Sequence, residues 1–389
     1  MNESADDVKK IFREKFNSEP RLFYSPGRIN LIGEHIDYND GFVMPAAINK
    51  GIFFAIALNN SEKINFHSID FDESISLSLS EVKKMDSWKN YVLGIVDEFK
   101  KLNLPVQGFD CVFGGNIPIG GGMSSSAALE GGVSFGLNSL CNFQMDRKQL
   151  ALLGQRAEHN FPNVKCGIMD QYANMMGKEN TVILLDCKNV TNEYIPLNIE
   201  GYEIVLINTK VHHSLAASQY NQRRKECEKG MEILKKELHV VSFRDIKSAE
   251  ELLPYKEQMG DEVYRRCLFV VEEILRTKKA GQLLKQNDTI GFGKLMFQTH
   301  YGLKNLYEVS CAELDYLVDA AEKNPDVIGS RLMGGGFGGC TINIVKEEGV
   351  DKFLSEVLPA YKKEYNIDAE NYQVKIEDGT CEILNTGEK

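Results

Sequence analysis

Apolar positions recur at helical spacing from residue 5 to 17, where Val8, Ile11, Phe12 and Phe16 share one face and Pro20 closes the run. The pattern then changes period. Leu22 to Tyr24, 51–58, 63–69 and 106–113 read as strands, apolar or alternating and bounded by polar residues. Between them, Trp88 opens a helical stripe through Tyr91, Val92, Ile95 and Phe99. Helices are predicted at 124–140 and 147–160, and strands at 181–186 and 203–208. The stretch 190–202 is polar and turn-rich, which makes it the expected domain boundary, giving domains of 1–200 and 201–389. Beyond it the pattern is mostly helical, at 218–234, 261–277, 282–297 and 307–323, with a strand at 340–345.

Three polar-rich segments interrupt this pattern. The first, SPGRINLIGEHIDYNDG, packs Arg28, Glu34, His35 and Asp37 among Ile29, Leu31, Ile32 and Ile36. Such mixing suits a loop pinned to a core with a few polar groups aimed at one point, as in a small-molecule site. The carboxylates and imidazole offer partners for sugar hydroxyls, although a solvated turn before Asn39-Asp40-Gly41 has the same composition. In the second segment, IPIGGGMSSSAALEGG, glycines and serines run into a helix. Unpaired N–H groups at a helix start bind anions, so this is a candidate phosphate loop, or else a glycine turn capped by serine. The third, GSRLMGGGFGGCTINIV, contains G-x-G-x-x-G at Gly334, Gly336 and Gly339. A dinucleotide site would need a helix after it; a strand follows instead, so that reading fails. Elsewhere, Asp170 stands among Ile168, Met169, Met175 and Met176, and a carboxylate in that setting must be paired or functional.

Composition narrows the function classes. The 389-residue chain is 43% apolar and 26% charged, ordinary values for a globular enzyme of about two domains. A net charge of -11 argues against a nucleic-acid surface. The nine cysteines form no C-x-x-C pair, which removes zinc and dithiol signals and suits a reducing compartment. The first residues carry no apolar signal core, and no apolar run of about 18 residues occurs, so neither secretion nor a membrane is expected.

Taken in order, the three segments resemble the GHMP small-molecule kinases, and GRINLIGEHIDY resembles the signature of the galactokinase branch. The likeness runs over about residues 20 to 345. It implies an α+β fold of two domains, with mixed and antiparallel sheets packed on helices and the active site in the interdomain cleft. By the same resemblance, ATP and Mg2+ are the cofactors and galactose is the sugar, phosphorylated at its anomeric hydroxyl to galactose 1-phosphate. Asp170 would act as general base beside Arg28. Glu34, His35, Ile36, Asp37, Gly167 and Tyr220 would bind the sugar. Gly120, Gly121, Gly122, Met123, Ser124, Ser125 and Ser126 would wrap the ATP phosphates, with Ser68 and Trp88 at the nucleotide. Ser126 and Glu158 would ligate magnesium. A cytoplasmic monomer or weak homo-oligomer, with no nucleic-acid or membrane partner, completes the expectation. A kinase for N-acetylgalactosamine or arabinose remains an alternative, as does a silent sugar- and ATP-sensing regulator. The intact SSSAA, Asp170 and Arg28 weigh against the regulator. Departures from the family pattern are Met123, the run Gly120-Gly121-Gly122, Leu332-Met333-Gly334-Gly335, and Gly131-Gly132 inside a helix, where close packing is expected.

Overall fold

A computed structural model describes residues 4–118, 120–212 and 216–384; Ile119 of the glycine-serine loop lies outside them. The first sheet has the order β13-β1-β3-β6-β4-β5. Its members are β1 (Arg21–Asn30), β3 (Pro45–Leu58), β4 (Lys63–Ser68), β5 (Glu73–Ser78), β6 (Phe109–Gly115) and β13 (Cys381–Glu382). All neighbours run antiparallel except β4 and β6. A second, antiparallel sheet of β10 (Val327–Leu332), β11 (Gly338–Lys346), β9 (Tyr202–His212) and β12 (Glu370–Val374) belongs to the later chain. A third, smaller sheet joins β2 (Phe42–Val43), β7 (Thr181–Asp186) and β8 (Thr191–Pro196). The segment expected to be turn-rich thus contributes a strand, β8. Alternation hides it, because only Ile195 is buried among its residues.

Helices α1 (Ala5–Phe16), α2 (Lys89–Lys101), α3 (Ser125–Leu140), α4 (Arg147–Asn160) and α5 (Met169–Met176) pack on or beside the first sheet. The later chain supplies α6 (Ala216–Glu237), a short α7 (Lys256–Met259), α8 (Asp261–Lys285), α9 (Thr289–Gly302), α10 (Ala312–Lys323) and α11 (Val350–Tyr365). Two predicted helix boundaries move. The break expected near 278–281 falls at Gln286–Asp288, where the Asp288 side chain caps α9. The helix expected from 307 starts at Ala312, after a wide turn over Leu303–Tyr307 that ends with Glu308 in a left-handed conformation.

The strand expected at Leu22 to Tyr24 runs on through Pro26 and Gly27 to Asn30, so the start of the first polar segment is sheet rather than loop. A register shift between Pro26 and Arg28 lets the proline sit in a strand. That bulge carries the chain onto the glycine-serine loop: the Arg28 N–H donates to the Met123 carbonyl at 3.1 Å. A Cβ on Gly27 would lie 2.7 Å from the same oxygen, so only glycine permits the approach.

Helix α3 lies on β1 and β3. Its adjacent interior glycines, Gly131 and Gly132, pay no packing penalty because there is no room for more. A Cβ on Gly131 would meet Asn174 Oδ1 at 1.9 Å, and one on Gly132 would meet the Phe54 ring at 2.0 Å. Phe54 is fully buried and stacks on Phe113, so it cannot retreat. Gly132→Ala should therefore destabilise the fold by about 1–3 kcal/mol in spite of its better helix propensity. A thermal midpoint equal to or above the parent's would contradict this packing.

Candidate active site

Two cavities frame the site, and the second of them is lined by the glycine-serine loop. The first, of about 270 Å³, is lined by Arg28, Glu34, His35, Asp37, Glu158, Cys166, Gly167, Asp170, Tyr220 and Gly334–Gly336, with Val164 and Met169. The second, of about 280 Å³, is a more apolar slot between Trp88, Tyr91, Phe113, Ile52 and Leu129, with Ser125 and Ser126 at its wall. The elements that bring these residues together are the end of β1, the start of α5, α6 and the turn between β10 and β11.

Arg28 and Asp170 form a two-pronged ion pair. Nε reaches Oδ1 at 2.7 Å and Nη2 reaches Oδ2 at 2.8 Å, while Nη1 donates to the Gly122 carbonyl at 2.5 Å. Arg28 is nearly buried, whereas the Asp170 side chain keeps 27% of its surface toward the cavity. The Ser124 hydroxyl also donates to Asp170 Oδ2. That contact explains the odd geometry of Ser124, which takes a left-handed backbone (φ 55°) at the start of α3 and makes no capping bond. With its cap residue turned to Asp170, α3 presents uncapped N–H groups, the arrangement that favours an anion.

Glu34 is held from the other half of the chain. Its Oε1 accepts from Arg331 Nη1 and Nη2, each at 3.1 Å, and from the Gly334 N–H at 2.8 Å. Arg331 is fully buried, and its remaining bonds go to the carbonyls of Asn30, Leu31 and Leu332. The third polar segment therefore keeps its glycine turn, with Gly334 and Gly336 at positive φ, and adds a backbone contact to Glu34. The Cys340 thiol ties it to the glycine-serine loop by donating to the Gly121 carbonyl at 2.8 Å.

Donor and acceptor rules fix a directed chain behind His35. Its Nε2 lies 3.1 Å from the Gly335 carbonyl, which can only accept, so Nε2 carries the proton. Burial, with Arg223 adding to it, lowers the imidazole to about 3, so the ring is neutral and Nδ1 accepts from Tyr38 OH at 2.7 Å. Tyr38 then accepts from Tyr307 OH at 3.0 Å, and Tyr307 from the Cys227 thiol at 3.2 Å. Both ring nitrogens are thus engaged within the protein. The His35 ring is a wall of the cavity beside Tyr220, with centroids 5.2 Å apart.

Other expected site residues separate. Ile36 is fully buried in the core against Gly41 and does not line the cavity. Ser68 is buried at the end of β4 with its hydroxyl unpartnered, outside the Trp88 slot. Met123 is buried too and meets the site through its carbonyl. Gly120 and Gly122 adopt positive φ, and Gly121 lies between them. Gly167 gives Asp37 its space, since a Cβ there would fall 2.0 Å from Oδ2. Ser126 and Glu158 line different cavities. Sequence reasoning missed Ser124 as a partner of Asp170, and missed Arg331, Tyr38 and Tyr307. Only Arg331 carried a signal, as the one charge in a glycine-rich motif.

The carboxylates crowd one another. Burial first, then Asp170 and Glu34, push Asp37 from the usual range up to about 7. The folded protein then keeps a proton that the unfolded chain has released between about pH 4 and 7, and stability from this residue falls as pH rises through that window. Asp37→Asn removes the penalty, so its melting temperature should exceed the parent's by more at pH 8 than at pH 5. An equal difference at both pH values would refute the shift.

The segment carrying Arg28 and the Glu34–Asp37 cluster matches the family model for the galactokinase galactose-binding signature, over residues 10–58. Residues 90–178 and 282–363 match the GHMP kinase N-terminal and C-terminal domain models. The galactokinase of Clostridium acetobutylicum is 41% identical over 389 residues, covering 98% of this chain and 99% of that protein. The chain belongs to the galactokinase family. Bacillus subtilis galactokinase is 40% identical, over 97% of this chain and 99% of its own length. The crystal structure of Lactococcus lactis galactokinase complexed with galactose superposes with a TM-score of 0.94 at 35% identity, over 97% of this chain and 99% of that one. As a galactokinase family member the chain is a GHMP-type kinase of two-domain fold, with ATP as the co-substrate that kinase chemistry implies. Among the described residues no helix is long and apolar enough to cross a membrane.

Proposed function

We propose that the chain transfers the γ-phosphoryl group of ATP to the anomeric hydroxyl of D-galactose in the cytoplasm, giving galactose 1-phosphate and ADP. The observation that carries this reading is the Arg28–Asp170 pair, open to a polar cavity on one side and bonded to the phosphate loop through Ser124 and Gly122 on the other. In this reading the sugar occupies the first cavity. Glu34 and Asp37 take its hydroxyls, Gly167 allows backbone approach, and Tyr220 and the His35 ring form the walls. The adenine side of ATP fits the Trp88 slot, and the phosphates run along Gly120–Ser126 to the bare start of α3.

Phosphoryl transfer passes through a loose transition state, so alignment and charge stabilisation do most of the work. Asp170 has unused lone pairs beside those given to Arg28 and Ser124 and can take the hydroxyl proton as the oxygen attacks. Arg28 holds the carboxylate in place and offsets charge on the transferred group. The α3 amides face the phosphate oxygens.

A magnesium ion fits the donor set, because the Ser126 hydroxyl and the Glu158 carboxylate are hard oxygen ligands. The fit also rests on the Glu130 Oε1 atom, which is buried without a partner next to Glu158, in a region with more carboxylates than cations. When bound, the ion supplies charge neutralisation of the ATP phosphates. The division at residue 200 belongs to the same proposal, with the strand β13 returning to the first domain's sheet.

The test is ADP release at fixed ATP with galactose, N-acetylgalactosamine and arabinose, and the product identified by phosphorus NMR. Galactose should give the highest kcat/KM. A preference for either other sugar would overturn the assignment.

A further inference from the structure

Behind Asp170, the next residue of α5 faces away from the cavity into a buried cluster. Gln171 Nε2 donates to Glu158 Oε2 at 2.6 Å and to Glu130 Oε2 at 3.1 Å. All three side chains are buried, with relative exposures of 3% for Gln171, 7% for Glu158 and 0% for Glu130. The amide nitrogen sits between the two carboxyl groups and donates to both. Both amide protons are therefore spent, one on α3 and one on α4. Gln171 Oε1 and Glu130 Oε1 are left buried without partners. Stability alone does not favour such an arrangement. The neighbouring helix makes room for it: a Cβ on Gly154 of α4 would come within 3.1 Å of Gln171 Cγ and 3.6 Å of Glu130 Oε2.

We propose that Gln171 is a positioning residue that sets the Glu158 carboxylate for a divalent cation bound with the nucleotide, and this rests on the reading of Glu158 given above. The Gln171 amide and the Cys166 thiol both contact Glu158 Oε2, which leaves Oε1 for the cation. Since Asp170 and Gln171 are consecutive on α5, one helix turn fixes the acceptor side and the metal side of the reaction relative to each other. A shift of α5 that moved the base would also move the metal ligand.

Calorimetry tests this without turnover, using a non-hydrolysable ATP analogue with and without Mg2+, and galactose alone. Gln171→Leu keeps the volume and removes both donors. It should weaken the magnesium-dependent part of analogue binding by about tenfold, with metal-free analogue binding and galactose binding unchanged. Glu130→Leu releases the other anchor of Gln171 and should shift the same quantity in the same direction by less; it also serves if Gln171→Leu does not fold. Variants that lose only thermal stability, with the magnesium-dependent part intact, overturn the proposal. A parent protein that gains no analogue affinity from Mg2+ overturns the functional reading itself, so the two failures are distinguishable.

Discussion

Asp170→Asn should lower kcat by about a thousandfold, within the range that a positioned acid or base contributes, with a much smaller change in the KM for galactose. The substitution keeps the shape and hydrogen-bonding width of the side chain but removes its charge and its ability to take a proton. Arg28, nearly buried, would then face a neutral amide, so a lower thermal midpoint is expected with the fold retained. Arg28→Ala should cost a similar factor. The double variant should cost less than the product of the two, because the residues act as one unit. Single-turnover ADP release measures all three. Near-parental kcat in Asp170→Asn would leave Asp170 as no more than an anchor for Arg28 and Ser124.

Arg331→Met carries the larger structural effect. It leaves Glu34, itself only 1% exposed, as a buried carboxylate with one remaining donor, the Gly334 N–H. The Asn30 and Leu31 carbonyls lose their donors as well. Breaking a buried pair from one side costs about 3–5 kcal/mol, a large part of the ~5–15 kcal/mol that holds a protein together. Arg331→Lys should recover little, because a single ammonium cannot span the carboxylate and three carbonyls at once. Adding Glu34→Gln to Arg331→Met should restore part of the loss by neutralising the stranded charge. Urea denaturation followed by circular dichroism gives the numbers. A loss below about 1 kcal/mol for Arg331→Met would mean that water replaces the guanidinium.

These two pairs show where sequence reading stops. The glycine-serine run, its helix and the polar cluster after β1 were legible because local chemistry writes them: glycines at positive φ, a helix start, charges among isoleucines. The length of β1 was not, because Pro26 and Gly27 are breakers by local rule and only the bulge against β3 tolerates them. Pairings were harder still. Glu34 and Arg331 are separated by 297 residues, and nothing local to either names the other. Ser124 carries the signs of a helix cap, yet Asp170, 46 residues on, takes its hydroxyl. His35 reads as a polar group suited to a sugar, and nothing near it in sequence except Tyr38 points to the partners of its ring nitrogens, Tyr38 and Gly335. In each case the residue type was readable and the geometry that decides its role was not.

The strand β13 has a consequence for synthesis on the ribosome. It closes the free edge of β1, with Arg21 Nε bonded to Glu382 at 2.6 Å across 361 residues, and the fully buried Thr380 bonds Asn174 and Ser25. Until residues 380–382 emerge from the exit tunnel, the first sheet keeps an open edge and Asn174 keeps an unfilled partner. Such long-range closure is slow. The first sheet is therefore completed only once residues 380–382 are available to pair with β1. A chain ending before residue 380 would carry Arg28, Ser124 and Asp170 and still lack the strand that pairs with β1 and the hydroxyl that bonds Asn174.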